Sequence, residues 1–572
     1  MNGSPRPRPL MVKSFEEART GNIPIVVAPT GYGKTMASPW LYSMARSHGL
    51  ASGLIHVAPL RSLVTKIYRD VFKPLHPGSG YQAHIDLGEG RSSYFLKDLV
   101  VTTIDSFLWN LYRVPVTELI AIERGVSMGH YYPVYTSIYT SLTVFDEAHV
   151  YLGEGSDPGR AAFTASLIHL AMLESPVIVE TATMHPGLIN RVVSMLEAQG
   201  RRASILAIKC HADRLREVPG LGGRVKGVED DEWIRGYRLG WRTSIVDGWD
   251  SVLEDIVQDS RRGPVLVVAN TVSAAVNLYR ALRSRIGDAV LVHGRLASLD
   301  RAEAEERIGA MRRGVIVSTQ VIEVGVDVNA VAVYTEAAPI ENLVQRAGRA
   351  CRRGGILDEC RRVGGKMVIV DTGDTGPYKR RNIDYAIDAI RRHNPIDWRL
   401  PCTEGDETPY TSLIEESRDD AVYSLAPFIS LYEYYLQGDG RPTAMLDLLG
   451  DMGMCSIYRD TTMYPIQTMG GEVLADMNWL SRNWDKVLET DGGVKIIITT
   501  QDGSVEARID EDSWREIVKP GRRCRQSHAR LYSAISRAAR ELGVRGVFNW
   551  SLKARQGAYQ RGIGFSVDAE GG

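Results

Sequence analysis

Short apolar runs recur along the first two thirds of the chain, each bounded by glycine, proline or polar residues and separated from the next by an amphipathic stretch. Runs that alternate with helical stretches in this way are typical of buried strands in a mostly parallel sheet with helices on both faces. In chain order they are IPIVVA, GLIHVA, DLVVTT, LTVFDE and PVIVET, then PVLVVAN, AVLVHG, GVIVST, AVAVYTE and KMVIVD. The pattern lapses after about residue 200 and resumes near residue 264. It therefore predicts two α/β domains, residues 1–200 and 245–395, joined by a connecting segment at 201–244.

Beyond residue 395 the pattern changes and predicts a smaller, mixed α/β accessory domain over residues 396–572. GGVKIIITTQDGSVEARID predicts a β-hairpin that turns at Asp502 and Gly503. SHARLYSAISRAARELG predicts an amphipathic helix that ends at Gly543. A basic stretch from Arg515 to Arg561 either binds DNA or protein or forms a solvated helix face.

The connecting segment interleaves aromatic and basic residues. Trp233, Tyr237 and Trp241 alternate with arginines there. Such a stretch either stacks on single-stranded nucleic acid or forms a packing surface, and the spacing of four favours packing.

Composition and charge narrow the class of protein. The 572 residues are 44% hydrophobic and 24% charged, with a net charge of -1, which is typical of a soluble globular chain of about two to four domains. No apolar signal-peptide core opens the chain, and no stretch approaches the roughly 20 apolar residues of a membrane span. The six cysteines never form a CxxC pair. The sequence therefore predicts thiols in a reducing cytoplasm rather than a disulfide framework or a zinc site.

The first predicted strand leads directly into APTGYGKT, a phosphate-loop sequence. Its glycines permit a tight turn whose backbone N–H groups face phosphates, and its lysine adds charge for the β- and γ-phosphates. Its final hydroxyl is suited to reach Mg²⁺. The predicted ATP-binding residues are Ala28, Pro29, Thr30, Gly31, Tyr32, Gly33, Lys34 and Thr35.

A later predicted strand ends in VFDEAH, which places two carboxylates at a strand tip. Asp146 suits a Mg²⁺ ligand together with Thr35, and Glu147 suits the residue that orients and deprotonates the attacking water. His149 beside this pair is interpreted as a bridge between the ATP site and the second domain.

The sequence QRAGRACRRG carries four arginines in a chain that is nearly neutral. An arginine from outside the phosphate-loop domain stabilises the charge that develops on the γ-phosphate, which is worth roughly 10³–10⁵ in rate. Arg349 and Arg352 are therefore predicted to serve the γ-phosphate, and Gln345 the same nucleotide or the catalytic water. Arg346 and Arg353 are assigned to domain contacts.

Taken in order, these motifs resemble those of superfamily 2 helicases, whose two motor domains are RecA-like. HVAPLRSLV resembles motif Ia, VTTIDSFL motif Ib, TATM motif III, VVANTV motif IV and STQVIEVGVDV motif V. The resemblance implies that Gly325 and Asp327 join the ATP site and that Thr181 and Thr183 act in coupling. It implies contacts to a nucleic-acid backbone from Pro59, Arg61, Thr102, Thr103, Asn270, Thr271, His293, Arg295 and Thr319.

A narrower resemblance is to the type I CRISPR-associated helicases, carried by VVANTVSAAVNLYRAL, LVHGRLASLDR and APIENLVQRAGRACRRG. It implies a 3′→5′ single-stranded-DNA translocase that uses ATP and Mg²⁺ and is recruited to an R-loop by a crRNA-guided surveillance complex. The phosphate loop begins at residue 28 and no histidine is followed by aspartate, so the chain looks like the split form, with the HD nuclease as a separate subunit. No glutamine precedes the phosphate loop, which leaves adenine selectivity open.

Two other functions fit the same motifs. One is a different superfamily 2 helicase that acts on DNA or RNA, and the other is an ATP-driven assembly switch that does not unwind. Comparing the stimulation of ATPase activity by single-stranded DNA with the stimulation by RNA distinguishes the first alternative. ATPase activity without strand displacement favours the second.

Overall fold

The computed structural model describes residues 7–82, 94–115, 126–154, 157–323, 325–417, 463–500, 503–519, 524–544 and 549–568, together with residues 92, 118 and 122. Within this part of the chain there are two compact units. The first consists of residues 7–241 and 388–417, and the second of residues 242–387 and 463–568.

The first unit contains an eight-stranded sheet among its described residues, and every pairing in it is parallel. Its order is β3-β4-β2-β5-β6-β1-β7-β8. The strands are β1 Ile23–Val27, β2 Gly53–Ala58, β3 Gly80–Gln82, β4 Leu99–Thr103, β5 Ser141–Phe145, β6 Val177–Thr181, β7 Ala203–Ile208 and β8 Val225–Val228. Because parallel strands end at one edge of the sheet, the loops after β1, β5 and β6 are brought together.

Helices connect these strands, as the alternation of apolar and amphipathic stretches predicts. Their bounds are Pro9–Arg19, Lys34–Ser47, Arg61–Ile67, Lys73–Leu75, Ile104–Leu111, Tyr131–Tyr139, Asp157–Met172, Pro186–Ala198, Lys209–Leu215, Asp231–Tyr237 and Tyr410–Glu416.

Residues 201–241, predicted as a connecting segment, belong to the first unit and supply strands β7 and β8 at one side of its sheet. Trp233 and Trp241 are buried, with 1% and 4% of their surface exposed. Trp233 lies in the same apolar core as Leu10 and Tyr32. The aromatic residues of this segment therefore serve packing.

The second unit contains a six-stranded sheet in the order β11-β12-β10-β13-β14-β9. Its strands are β9 Trp241–Asp247, β10 Pro264–Val268, β11 Ala289–Val292, β12 Gly314–Ser318, β13 Ala332–Glu336 and β14 Gly365–Asp371. The accompanying helices are Leu253–Ser260, Val272–Arg283, Ser298–Ala310, Ile340–Ala347, Gly354–Val363 and Arg380–His393. The predicted fold of two tandem RecA-like domains is confirmed.

The chain returns to the first unit at Asp388, within the helix Arg380–His393, and continues through what we call the return segment, residues 394–417. Two short strands, β15 Ile396–Asp397 and β16 Thr408–Pro409, pair in parallel within it, and the helix Tyr410–Glu416 follows. The predicted boundaries group these residues with the accessory domain.

The described residues between 463 and 568 form the mixed α/β part of the second unit, and they share an apolar core with Ala297. Five strands pair in the order β18-β17-β21-β19-β20: β17 Met463–Thr468, β18 Gly471–Asp476, β19 Val494–Thr500, β20 Gly503–Ile509 and β21 Asn549–Lys553. The helices are Met477–Val487, Glu511–Ile517 and Cys524–Glu541. The predicted hairpin is the antiparallel pair β19–β20, and of its predicted turn Asp502 lies outside the described residues.

The C-terminal tail folds back through β22 Tyr559–Gln560 and β23 Gly564–Phe565, which pair antiparallel. The buried Asp300 holds this tail in place, because its carboxylate accepts hydrogen bonds from the Tyr559 hydroxyl and the Gly562 N–H at 2.8 Å each. Arg561 forms an ion pair with the same carboxylate. The tail is thus held by side-chain hydrogen bonds and an ion pair as well as by apolar packing.

Two disulfides correct the expectation of free thiols. Cys210 joins Cys402, 192 residues further along the chain, and Cys351 joins Cys360, nine residues away. The sequence does not reveal the first pair, because its two cysteines come together only through the course of the return segment. The second pair links Cys351, within the arginine cluster, to Cys360 in the helix Gly354–Val363.

Within the described residues, no helix combines the length and the apolar character needed to cross a membrane.

Candidate functional site

The phosphate loop joins β1 to the helix Lys34–Ser47. Gly31 and Gly33 have φ values of +83° and +98°, a left-handed conformation that side chains disfavour and that explains both glycines. The Lys34 ammonium is buried, and it donates to the carbonyl of Ala28 at 3.0 Å. Lys34 thus contacts the backbone of the same loop whose N–H groups would contact a phosphate.

Tyr32 fixes the outer side of the loop. Its hydroxyl donates to Asp230 at 2.7 Å and accepts from the Leu10 N–H at 3.3 Å. Burial and the hydrogen bond to Asp230 raise the pKa of Tyr32 well above its usual range. Tyr32 is therefore neutral, and it connects the phosphate loop to the first helix and to the segment after β8.

A carboxylate meets the loop hydroxyl at the tip of β5. Thr35 Oγ1 donates to Asp146 Oδ2 at 2.8 Å, and the Glu147 N–H donates to Asp146 Oδ1 at 2.9 Å. A hydroxyl and a carboxylate at this distance are the hard oxygen donors that Mg²⁺ prefers. The residues therefore fit a Mg²⁺ ion.

His56, which the sequence analysis did not single out, stands behind this pair on β2. Its Nδ1 lies 2.9 Å from Ser38 Oγ, and its Nε2 lies 3.4 Å from Asp146 Oδ2. Burial by itself would raise the pKa of Asp146, but His56, Lys34 and Thr35 outweigh it and hold the pKa below its ordinary value. The signal in the sequence that could have indicated His56 is a histidine within the otherwise apolar run GLIHVA.

Glu147 adopts a backbone conformation that only glycine takes without cost, with φ of +51°. Its carboxylate Oε2 lies 3.5 Å from His149 Nδ1, which is 3.3 Å from Thr181 Oγ1. Burial lowers the pKa of His149 to about 3, so this histidine is neutral near pH 7. His149 thus links the predicted base to Thr181, and the neighbouring Thr183 is buried.

Glu180, on β6, is a second residue that the sequence analysis did not single out. It is fully buried, and neither carboxylate oxygen has a hydrogen-bond partner among the described residues. Burial and the neighbouring charge of Asp146 raise its pKa well above the ordinary value. A buried glutamate with a raised pKa therefore lies next to the carboxylates of the DEAH sequence.

Arg346 is buried completely and serves the interior of the second unit rather than a γ-phosphate. It donates to Glu323 Oε1 at 2.8 Å, to Thr335 Oγ1 at 2.6 Å and to Asn270 Oδ1 at 3.2 Å. Its remaining bonds run to the Glu336 carbonyl at 3.1 Å and the Tyr378 hydroxyl at 3.1 Å. The guanidinium therefore joins the ends of β10 and β13.

The two arginines predicted for the γ-phosphate make different contacts within the second unit. Arg349 donates to the carbonyl of Glu323. Arg352 pairs with Asp327 at 2.6 Å, and Arg353 pairs with the same carboxylate at 2.5 Å. Asp327, predicted to bind ATP, is thus flanked by two arginines. Of the other predicted residues, Gln345 is buried, and Gly325 has a φ of +102°.

The residues predicted to contact nucleic acid are mostly engaged within their own units. Thr103 and Thr271 accept hydrogen bonds at the N-termini of the helices Ile104–Leu111 and Val272–Arg283. Thr102 donates to the Gln82 carbonyl at 2.9 Å. Buried polar residues of this group are Thr102, Thr103, Asn270, His293 and Thr319.

His293 lies under the C-terminal tail, where its Nε2–H donates to the carbonyl of Ile563 at 2.7 Å. Burial lowers its pKa to about 4. Arg295 lies over the ring of Trp479 at 5.1 Å. Pro59 lies in the loop after β2, and Arg61 begins the helix Arg61–Ile67. Contact of any of these residues with nucleic acid stays a prediction.

Two family models match the chain. A model of DEAD/DEAH box helicases matches residues 9–191, which include the phosphate loop and the DEAH sequence. A model of the C-terminal part of the CRISPR-associated nuclease/helicase Cas3 matches residues 261–355, which include the arginine cluster.

A curated relative and two solved structures agree with these models. The CRISPR-associated helicase Cas3 of Thermoproteus tenax is 25% identical over 350 residues, which cover 59% of this chain and 55% of the relative. The chain thus spans about half the length of that relative. T. fusca Cas3 with AMPPNP superposes with a TM-score of 0.52 at 17% identity, over 78% of this chain and 55% of that one.

A chain of a CRISPR RNA-guided surveillance complex in a pre-nicking state superposes with a TM-score of 0.51 at 17% identity, over 90% of this chain and 62% of that one. At such identities the superpositions establish the fold, while the family models and the curated relative carry the similarity to Cas3 helicases. The chain is accordingly similar to the Cas3-type DEAD/DEAH-box helicases over their helicase part.

Proposed function

We propose that the protein is an ATP-dependent single-stranded-DNA translocase of type I CRISPR interference, moving 3′→5′ and supplying DNA to a separate HD nuclease. The observation that carries the proposal is the cluster of Lys34, Thr35, Asp146 and Glu147 at one edge of a parallel sheet. The ordered helicase motifs and the Cas3-type relatives support the DNA-directed part.

Each residue of the cluster has a separate role in hydrolysis. Lys34 neutralises phosphate charge, and the loop N–H groups hold the β-phosphate. Thr35 and Asp146 hold Mg²⁺, which when bound neutralises charge on the phosphate oxygens. Glu147 accepts the proton of the attacking water, and neutral His149 keeps its carboxylate near Thr181.

Arginines of the second domain complete the reaction. Arg349 and Arg352 neutralise the charge that develops on the γ-phosphate, and Gln345 orients the water. Arg352 must leave Asp327 to do so, which makes that ion pair a resting contact. Gly325 and Asp327 contribute to the nucleotide site from the same domain.

The strand-binding and coupling residues follow from the motif order. Pro59, Arg61, Thr102 and Thr103 act in the first domain, while Asn270, Thr271, His293, Arg295 and Thr319 act in the second. Thr181, Thr183 and His149 transmit hydrolysis to these contacts.

The first test measures ATP hydrolysis with single-stranded DNA, with single-stranded RNA and without nucleic acid. DNA is expected to stimulate turnover, and Lys34→Ala is expected to abolish it. Lys209→Ala is a matched control, because the ammonium of that exposed lysine pairs with Glu229 at 2.6 Å on the surface of the same domain. Stimulation by RNA alone would point to another helicase class.

The second test concerns direction and the nuclease. Duplexes with a 3′ tail should be unwound faster than duplexes with a 5′ tail. Labelled circular and linear strands should stay uncut with Mg²⁺, Mn²⁺ or Ni²⁺ until an HD nuclease subunit is added. Metal-dependent cutting by the lone chain, removed by a point mutation in it, would refute the separate nuclease. Purification from native cells should recover the nuclease or the crRNA complex.

A further inference from the structure

Glu180 is an acidic residue in the interior of the first parallel sheet. It is the fourth residue of β6, in the run VIVET, and that strand lies between β5 and β1. Glu180 is 0% exposed, and neither carboxyl oxygen accepts a hydrogen bond from a described residue. Strands buried on both faces are normally apolar, and a buried polar group costs stability when it makes no hydrogen bond. The packing of the sheet alone therefore does not account for this carboxyl group.

The register of the strands places Glu180 beside Asp146. Phe145 of β5 pairs with Val179 of β6, and Asp146 and Glu180 are the next residues on these two strands. Successive side chains of a strand alternate between the faces of the sheet, and side chains that are opposite each other on paired strands share a face. The two carboxyl groups are therefore neighbours on one face of the sheet.

The helix Lys34–Ser47 covers this face. Val26 of β1 is the partner of Glu180 on the other side of β6, and Val26 shares an apolar core with Leu41 of that helix. Lys34 begins the helix, and its charge interacts with the Glu180 carboxyl group. Glu180 therefore lies under the first turn of the helix, on the side of the sheet where the phosphate loop ends.

The residues that fit Mg²⁺ are in the same place. Thr35, in that first turn, donates to Asp146 at 2.8 Å. Mg²⁺ bound by few protein oxygens keeps several waters, whose hydrogens need acceptors. Residues behind the direct ligands fix the metal by accepting or donating such hydrogen bonds. Glu180 provides two carboxyl oxygens for this purpose on the face that carries Asp146.

We propose that Glu180 is a positioning residue of the Mg²⁺ site, and that its carboxyl group accepts a hydrogen bond from a water bound to the metal. It acts through that water and does not touch the nucleotide. The proposal rests on the nucleotide-binding function proposed above. It adds to the site a residue from outside the phosphate loop and the DEAH sequence.

The test uses Mn²⁺ in place of Mg²⁺ and measures its affinity for the full chain with saturating ADP, from the paramagnetic resonance signal of free Mn²⁺. Glu180→Met removes the acceptor and should weaken Mn²⁺ binding by about 10–100-fold, as loss of a group behind a metal ligand does. Glu180→Gln keeps an acceptor oxygen and should bind Mn²⁺ more tightly than Glu180→Met. With EDTA present, ADP affinity should be the same in all three proteins.

Glu17→Gln is the matched control. Glu17 is another buried glutamate of the same domain, 5% exposed, and its carboxylate accepts hydrogen bonds from Asn22 at 2.8 Å and Lys226 at 2.7 Å. Its replacement changes a buried carboxyl group at a different place, so the affinity for Mn²⁺ should equal that of the wild type.

Thermal unfolding in EDTA keeps the test independent of metal binding. Glu180→Met replaces a buried carboxyl group that makes no hydrogen bond with an apolar side chain, so the metal-free variant should be at least as stable as the wild type. A variant that unfolds at a lower temperature, or does not fold, would show that the carboxyl group serves the fold and would overturn the proposal.

Three binding results would also overturn it. One is Mn²⁺ affinity of folded Glu180→Met that equals the wild type. Another is an ADP affinity in EDTA that falls as far as the Mn²⁺ affinity, which would place the effect on the phosphate loop. The third is an equal loss of Mn²⁺ affinity in Glu180→Gln and Glu180→Met. Each differs from failure of the proposed function, in which the wild-type chain itself binds no ADP.

Discussion

Replacing Arg346 by methionine should destabilise the protein strongly, although the position is in a motif usually associated with catalysis. The guanidinium is fully buried and makes five hydrogen bonds. Its loss leaves the carboxylate of Glu323, which is 8% exposed, with the Asn342 amide at 2.8 Å as its remaining side-chain partner among the described residues. Removing one partner of a buried ion pair costs about 3–5 kcal/mol.

A thermal unfolding curve measures this cost. For a domain of about 150–250 residues each kcal/mol lowers Tm by about 2–4 °C, so Arg346→Met should lower the transition of the second unit by about 6–20 °C. Arg353→Met is the control, because Arg353 is 61% exposed in its pair with Asp327 and such a pair is worth at most about 1 kcal/mol.

A second substitution distinguishes the stability lost with the ion pair from the stability lost with side-chain volume. Adding Glu323→Leu to Arg346→Met removes the unpaired carboxylate, so it should restore part of the lost stability. Equal transition temperatures for Arg346→Met and Arg353→Met would refute the reasoning from burial.

Four further outcomes are expected. Glu147→Gln should retain ATP binding but lose turnover, whereas Lys34→Ala should lose binding, which equilibrium binding and single-turnover assays distinguish. Arg352→Ala should lower turnover by at least ~10²-fold with little change in ATP affinity; normal turnover would return the arginine to a packing role. His56→Leu should raise the Mg²⁺ concentration for half-maximal ATPase by about 10–100-fold, as loss of a residue behind a metal ligand does. Burial raises the pKa of Asp397 from 3.8 to about 7, so its protonated form contributes stability that is complete below about pH 4 and is lost as pH rises through 7. Asp397→Asn should flatten this pH dependence of stability, which unfolding curves recorded at several pH values measure. An unchanged slope of stability against pH would contradict the reasoning.

The strands and the strand–loop–helix conformation at APTGYGKT were predictable because their signals are local. Each of the ten apolar runs became a strand, as with PVLVVAN and β10. A phosphate loop needs its glycines and lysine within eight residues, so APTGYGKT specifies it without any distant partner. The carboxylates of VFDEAH follow from the end of β5 in the same way.

The remaining features depend on contacts between distant parts of the chain. The Cys210–Cys402 bond requires knowledge of where the return segment goes. His56 becomes part of the site because β2 lies beside β5 in the sheet. Strand order of this kind is a property of the whole sheet, and no window of sequence contains it.

The left-handed backbone of Glu147 carries an evolutionary consequence. A residue with a Cβ at φ of +51° costs about 1 kcal/mol or more relative to glycine. Drift toward stability therefore favours glycine or asparagine at the position where the proposed hydrolysis needs a carboxylate. A lineage released from selection for the proposed ATP hydrolysis would therefore be expected to lose this glutamate early and to gain stability.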